Sequence, residues 1–178
     1  MKKLIATLLA LVLALSLALT ATAEETAPTF MNGVQFNMNL DQVMQLVQLP
    51  APEIDRELTR GPVAFTELEY EDVRDKSFLC DLSFKFVDDK LVALHMDMAD
   101  GTNYEAVKAS LIATYGGEAV PFDTAAIGNG KYAVDDDGDL EDCKEMIVAN
   151  GVTIVLEQDR EGDIDVTLLD PAAAYLSK

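Results

Sequence analysis

The sequence predicts an α+β domain, and two observations carry that prediction. Apolar and polar side chains alternate through residues 78–87, and the same alternation continues through residues 92–98. A period of two with one polar side is typical of an antiparallel sheet that buries one face. Two other segments place apolar residues at helical spacing behind a capping residue. We therefore predict an antiparallel sheet of about six strands with two helices on one face.

Each predicted helix has a start signal and a stop signal. The first begins at Asn39, a favoured N-cap with Gln42 three residues further on, and ends before Pro50. The second is opened by Thr102-Asn103-Tyr104-Glu105, which has the form of a capping box, and ends at Gly116. Apolar stripes follow both starts, formed by Leu40, Val43, Met44 and Val47 in the first helix and by Tyr104, Val107, Leu111 and Tyr115 in the second.

Six strands are predicted, in two groups of three that each follow a helix. They cover residues 65–73, 78–87, 92–98, 144–149, 152–157 and 164–169. The dipeptides Asp88-Asp89 and Asn150-Gly151 are turn signals between neighbouring strands. The order helix, three strands, helix, three strands is compatible with two αβββ units at residues 31–100 and 101–170. Chance similarity between short amphipathic segments is the alternative.

The first 23 residues have the pattern of a signal peptide. Lys2 and Lys3 precede an apolar run at residues 4–19, and Ala21-Thr22-Ala23 has the small-x-small form of a cleavage site. A membrane anchor is the alternative, but no basic flank follows the run, and no cysteine at the site would accept a lipid. We expect a secreted or extracytoplasmic chain of residues 24–178, a single α+β domain without a stable membrane anchor after cleavage.

The charge of the chain narrows the choice of partners. The net charge is −19, and removal of the two leader lysines takes it to −21. Such a chain repels phosphate backbones and anionic lipid, so nucleic acid is excluded as an expected partner. Cations and basic partners stay open. Cys80 and Cys143 are the two cysteines, and in an oxidising compartment we expect a disulfide between them. Two buried thiols are the alternative.

The stretch GVQFNMNLDQVMQLV, residues 33–47, and the sheet pattern after it resemble a group of small exported bacterial helix-plus-sheet domains. The group includes beta-lactamase inhibitory protein and the SmpA/OmlA outer-membrane assembly lipoproteins. The resemblance covers residues 31–98 and implies a fold and a binding role, with no catalytic residue. The chain departs from it in two places. The lipidated cysteine of the lipoproteins is missing, and Asn37-Met38 stands where an aromatic-glycine pair is common.

An acidic turn at residues 134–142, VDDDGDLED, raises the question of a calcium site. Asp135, Asp137 and Asp139 alternate and would point the same way in an extended segment. An EF-hand loop with Gly138 at its sixth position, however, would place Ala133 and Lys144 at its two ends, where oxygen ligands are needed. We predict a solvated turn and no cofactor, and an acidic calcium-binding extracellular module is the alternative function.

Catalytic patterns are scarce in the sequence. His95 is the only histidine, and no Gly-x-Ser-x-Gly elbow accompanies it. Strand alternation turns His95 away from Met96 and Met98, so a copper site is not expected and His95 is interpreted as a lone exposed side chain. We predict that the protein is not an enzyme, with an uncharacterised hydrolase as the third function considered.

The remaining candidate is the polar side of the predicted sheet. An interaction face would include Asp81, Ser83, Lys85, His95 and Asp97, with Thr66, Thr153 and Thr167 on the same side. These side chains are also what an ordinary solvated sheet face carries. The function predicted from the sequence is a non-catalytic binding or interaction domain of the bacterial envelope or extracellular space. Its partner would be another extracytoplasmic protein or an envelope component.

Overall fold

A computed structural model describes residues 28–50, 52–56, 64–75, 78–123, 143–149, 151–159 and 161–172. The signal peptide predicted at residues 1–23 lies outside these ranges. Helix α1 is Leu40–Val47 and helix α2 is Tyr104–Tyr115, with a 3₁₀ turn at Met31–Gly33. The strands are β1 Glu53–Arg56, β2 Phe65–Asp75, β3 Phe78–Val87, β4 Lys90–Met98, β5 Glu118–Pro121, β6 Cys143–Ala149, β7 Val152–Gln158 and β8 Ile164–Leu169. Within the described ranges no helix is both long and apolar enough to cross a membrane.

The strands form one antiparallel sheet in the order β1-β2-β3-β4-β8-β7-β6-β5. This order is symmetric about the β4–β8 pair, and each half is a helix followed by a four-stranded meander. The α+β prediction is confirmed. The six predicted strands are present, and the two that were missed, β1 and β5, are the four-residue strands at the two edges. Four residues are too few to show an alternation, and β5 ends in a proline.

The predicted capping box at the start of the first helix is confirmed, whereas the one predicted at Thr102 and Glu105 is wrong, because the Thr102 hydroxyl donates to the Ala99 carbonyl and Asn103 is the cap. The Asn39 side chain accepts from the Gln42 backbone N–H, and the Gln42 side chain accepts from the Asn39 backbone N–H, both at 2.9 Å. In the second half, Asn103 accepts from the Ala106 backbone N–H at 2.9 Å. Gly116 ends α2 with φ +78°, a left-handed value that glycine adopts without strain. In both helices an asparagine side chain therefore caps the backbone N–H of the third helical residue.

The core lies between the two helices and one face of the sheet, which we call the helix face. Val43 and Val47 of α1 and Val107 and Leu111 of α2 are buried against it. One register row crosses six neighbouring strands and consists of Leu68, Phe84, Leu94, Leu168, Ile154 and Ile147, all buried. Burial of each such side chain contributes about 1.5–3 kcal/mol. This row holds the two halves of the sheet in one core.

The strand order argues against the predicted disulfide. Cys80 lies on β3 and Cys143 on β6, and β4, β8 and β7 lie between them. At about 4.8 Å per strand this is about 19 Å along the sheet, whereas a disulfide needs Cα atoms within about 7 Å. Cys80 is buried, with its Sγ 3.7 Å from the Val73 carbonyl oxygen. The side chain of Cys143 lies outside the described part of the chain.

Candidate interaction surface

The sheet face opposite the helices, which we call the open face, brings together the five residues predicted for an interaction face. Asp81 on β3 is in register with Asp97 on β4, and Ser83 with His95. Lys85 follows on the same face and lies 3.7 Å from Glu67 on β2. Thr153 and Thr167 also alternate onto this face, but the placement of Thr66 was wrong. It alternates with Leu68 and is in register with Phe86, which places it on the helix face.

Four carboxylates form a row across the open face. Asp81, Asp97, Asp165 and Glu157 are in mutual register on β3, β4, β8 and β7, and we call them the acidic row. Asp81 and Asp97 are exposed, and Asp165 and Glu157 are half-buried. The sequence prediction missed Asp165 and Glu157, because only the β4–β8 pairing brings the second half of the chain beside the first. The alternation of Asp165 and Glu157 with apolar residues along β8 and β7 was the sequence signal that could have placed them on this face.

The acidic row places like charges directly opposite each other, which is unfavourable in a sheet. Loss of water contact raises the pKa of the Asp97 carboxyl, and the neighbouring Asp165, Asp81 and Asp163 carboxylates raise it further, while His95 lowers it. One member has a local role: Asp81 accepts a 2.8 Å hydrogen bond from the backbone N–H of Asp72. Asp72 lies in a bulge of β2 with φ +54°, so Asp81 fixes that bulge.

His95 is not the lone exposed side chain that was predicted. It is half-buried, with Nδ1 3.0 Å from Thr167 Oγ1 and Nε2 3.3 Å from Asp165 Oδ1. A hydroxyl, an imidazole and a carboxylate linked in this order are the groups that hydrolases use to activate a nucleophile. Thr167, however, is only 2% exposed, so its hydroxyl cannot reach a substrate carbonyl. The contacts instead hold the imidazole and orient Asp165.

The centre of the open face is more buried than a solvated face would be. Ala93, Met146, Val155 and Leu169 alternate onto it and are buried, although no helix within the described ranges packs there. The face is exposed at the end that carries Asp81 and Asp97, and also at Val148 on β6. Ser83, one register row from Asp81 and Asp97, is 7% exposed, and its hydroxyl makes no hydrogen bond to any described residue.

A second acidic group lies in the turn between β7 and β8, where carboxylate oxygens of Asp159, Glu161 and Asp163 lie within 4.8 Å of one another. Oδ1 of Asp159 accepts backbone N–H groups of Glu161, Gly162 and Asp163 at 2.7–2.9 Å. These bonds are those of an ordinary Asp-initiated turn, and they explain the acid at this position without an ion. The calcium candidates Asp135, Asp137 and Asp139 lie outside the described residues.

A cavity of about 40 Å³ lies between α2 and the helix face, lined by apolar side chains that include Phe30, Met98 and Leu111. Ligand pockets usually measure about 300–1,000 Å³. This cavity has room for a few water molecules and does not provide a site for an organic ligand.

The fold and this surface define a class, a small α+β domain with helices on one side of a single antiparallel sheet. No protein family, curated protein or solved structure matches the chain. The functional conclusion therefore depends on the geometry of the open face.

Proposed function

We propose that the chain is an exported, non-catalytic binding domain that docks another extracytoplasmic protein or envelope component on the acidic end of its open face. The observation that carries the proposal is the acidic row. Each pair of like charges opposite one another costs about 0.2–1 kcal/mol relative to neutral residues. A sheet that needed only solubility could spread these acids apart. Unfavourable charge kept on a rigid surface is typical of a site that a partner neutralises.

Two further features support a binding role over catalysis. Sheet strands hold their side chains more rigidly than loops, so a row that spans four strands presents a fixed pattern of charge. The one hydroxyl–imidazole–carboxylate group on this face has a buried hydroxyl. Export is supported by the leader pattern at residues 1–23, and N-terminal sequencing of the secreted product is expected to begin at Glu24.

The test is affinity capture from the extracytoplasmic fraction of the source organism with three baits. They are the mature wild-type chain, Asp97→Arg on the open face, and Asp41→Arg in the first turn of α1. Both substitutions change the net charge by the same amount. A protein retained by the wild type and by Asp41→Arg but lost with Asp97→Arg is the expected result. Retention of the same proteins by all three baits would place the docking surface elsewhere.

A further inference from the structure

The cavity between α2 and the helix face is lined by four sulfur-bearing side chains, which are Cys80, Met31, Met96 and Met98. Cys80 on β3 and Met98 on β4 are directly opposite each other in the sheet, which places their Cβ atoms about 4.5–5.5 Å apart. Met96 lies two residues before Met98 on the same face, and Met31 belongs to the 3₁₀ turn. One thiol and three thioethers therefore share a single cavity.

These ligand types select a soft metal ion. Thiolate and thioether sulfur suit Cu(I), whereas zinc in proteins is bound by cysteine, histidine and carboxylate groups. Within the described part of the chain, no carboxylate or imidazole lines the cavity, and calcium and magnesium need oxygen ligands. The sequence argument against copper concerned His95, which lies on the open face and does not belong to this set.

The charge balance of the cavity favours a monovalent ion. The rest of its lining is mostly apolar and includes Phe30, Leu94 and Leu111, so an uncompensated charge would be very unfavourable there. A Cys80 thiolate and one Cu(I) ion cancel each other's charge, whereas a divalent ion would leave a net positive charge. The volume of about 40 Å³ excludes organic molecules and has room for a single ion.

Two of the methionines give an ion a way into the cavity. Met31 and Met96 are half-buried, whereas Cys80 and Met98 are only 2% and 5% exposed. An ion from solvent would therefore contact thioethers before it reaches the thiol. The methionine side chain is unbranched and flexible, so its sulfur can adjust to the ion without movement of the strands.

We infer that the cavity binds one Cu(I) ion through the Cys80 thiolate and the thioethers of Met31, Met96 and Met98. The Cys80 S–H bond breaks, a Cu–S bond forms, one proton goes to solvent, and copper stays in the same oxidation state. The thiol gives up its weak contact with the Val73 carbonyl oxygen, 3.7 Å away. Because binding releases a proton, the affinity rises with pH. The site lies on the opposite side of the sheet from the acidic row and is independent of the function proposed above.

The experiment is an anaerobic Cu(I) titration of the mature chain, with its cysteines reduced, in competition with a coloured Cu(I) chelator. The variants are Cys80→Ala, Met96→Leu and Met98→Leu, and the matched control is Met146→Leu. Met146 is also a buried methionine, at 5% exposed, but it lies on the open face. Leucine is close to methionine in volume, so these substitutions keep the packing, and thermal denaturation without metal checks that each variant folds. Thermal denaturation with Ag(I), which has the same ligand preference, is a second readout.

We expect the wild type to take about one Cu(I) per chain from the chelator, with an affinity that rises with pH, and to melt at a higher temperature with Ag(I). Cys80→Ala and Met98→Leu should each weaken Cu(I) binding about ten-fold or more, and Met146→Leu should change it less than about two-fold. No uptake by the wild type would overturn the inference. Uptake that survives in Cys80→Ala would place the ion on another group, such as Cys143. Loss in Cys80→Ala with full affinity in both methionine variants would mean a thiol acting alone, and either result rejects the site.

Discussion

Replacement of Asp97 by asparagine is expected to make the protein more stable, which is unusual for a substitution in a sheet. Asp97 has a carboxylate opposite it on each side, Asp81 on β3 and Asp165 on β8. Relief of two like-charge contacts, reduced by the lost attraction to His95, gives an expected gain of about 0.5–1 kcal/mol in the free energy of unfolding. For a domain of this size that corresponds to about 1–4 °C in the melting temperature.

The gain should depend on pH with a definite sign. The pKa of Asp97 is raised in the folded protein, first by lost water contact and then by Asp165 and the other nearby acids. The charged carboxylate is therefore disfavoured in the folded state. Its cost is absent below the ordinary pKa of an aspartate, about 3.9, and complete above the raised folded value. The advantage of Asp97→Asn should be full at pH 7 and should disappear as the pH falls to about 3.

Urea denaturation at pH 7 and pH 3 measures this, with Asp41→Asn as the control. Asp41 lies in the first turn of α1, where a negative charge is favourable, so its removal should cost about 0.3–1 kcal/mol. Both variants lower the net negative charge by one, but they should change stability in opposite directions at pH 7. If Asp97→Asn left the stability unchanged or lowered it, or if its gain in stability persisted at pH 3, the like-charge repulsion inferred between Asp97 and its neighbours in the acidic row would be refuted.

Three other expectations can be checked with the same purified chain. Gly117→Ala should lower the free energy of unfolding, measured by thermal denaturation, by about 1–3 kcal/mol, because φ is +86° and the added Cβ would overlap the Val148 carbonyl. Gly101→Ala is the control and should cost less, since Gly101 has a similar φ of +78° but open space around the added Cβ. Equal losses in the two variants would contradict the overlap. Lys108 Nζ and Glu145 Oε2 are 2.9 Å apart, and this ion pair lowers the pKa of Glu145. Glu145→Gln should therefore lower the free energy of unfolding by about 0.2–1 kcal/mol above pH 4.5, and by much less as the pH falls further. An unchanged loss at pH 2 would show that charge is not responsible. Calorimetric titration with calcium should show weak binding, and a saturable site tighter than about 10 μM would contradict the assignment of the acidic turns as solvated.

The elements that could be predicted from the sequence are those whose signal is local. The alternation in β3 and the asparagine cap at Asn39 depend on residues within a few positions of one another, and the structure confirms them. The acidic row depends on the pairing of β4 with β8, whose residues are separated by more than 60 positions, and no local pattern encodes that pairing. For the same reason Asp97 was identified as a candidate while its neighbour Asp165 was not.

The interpretation of His95 failed for a related reason. Alternation placed it correctly on the face opposite Met96, but its exposure depends on which strand lies beside it. Thr167 and Asp165 of β8 supply both of its polar contacts, and they cover the imidazole that would otherwise be in solvent. Period and spacing predict which way a side chain points, whereas its environment depends on tertiary pairing.

The symmetric strand order has a consequence for how the chain folds and how it can fail. Each half is local, a helix and a meander, and the β4–β8 seam is the one strand pairing that joins the halves. A fragment limited to residues 31–100 would leave the β4 edge, with its unpaired backbone N–H and C=O groups, open to solvent. The natural partner of that edge is an antiparallel strand related by two-fold rotation, and a second copy of the same fragment presents one. Premature termination after the first half would therefore yield a chain prone to pair with itself through β4, in place of the seam that β8 closes in the full-length protein.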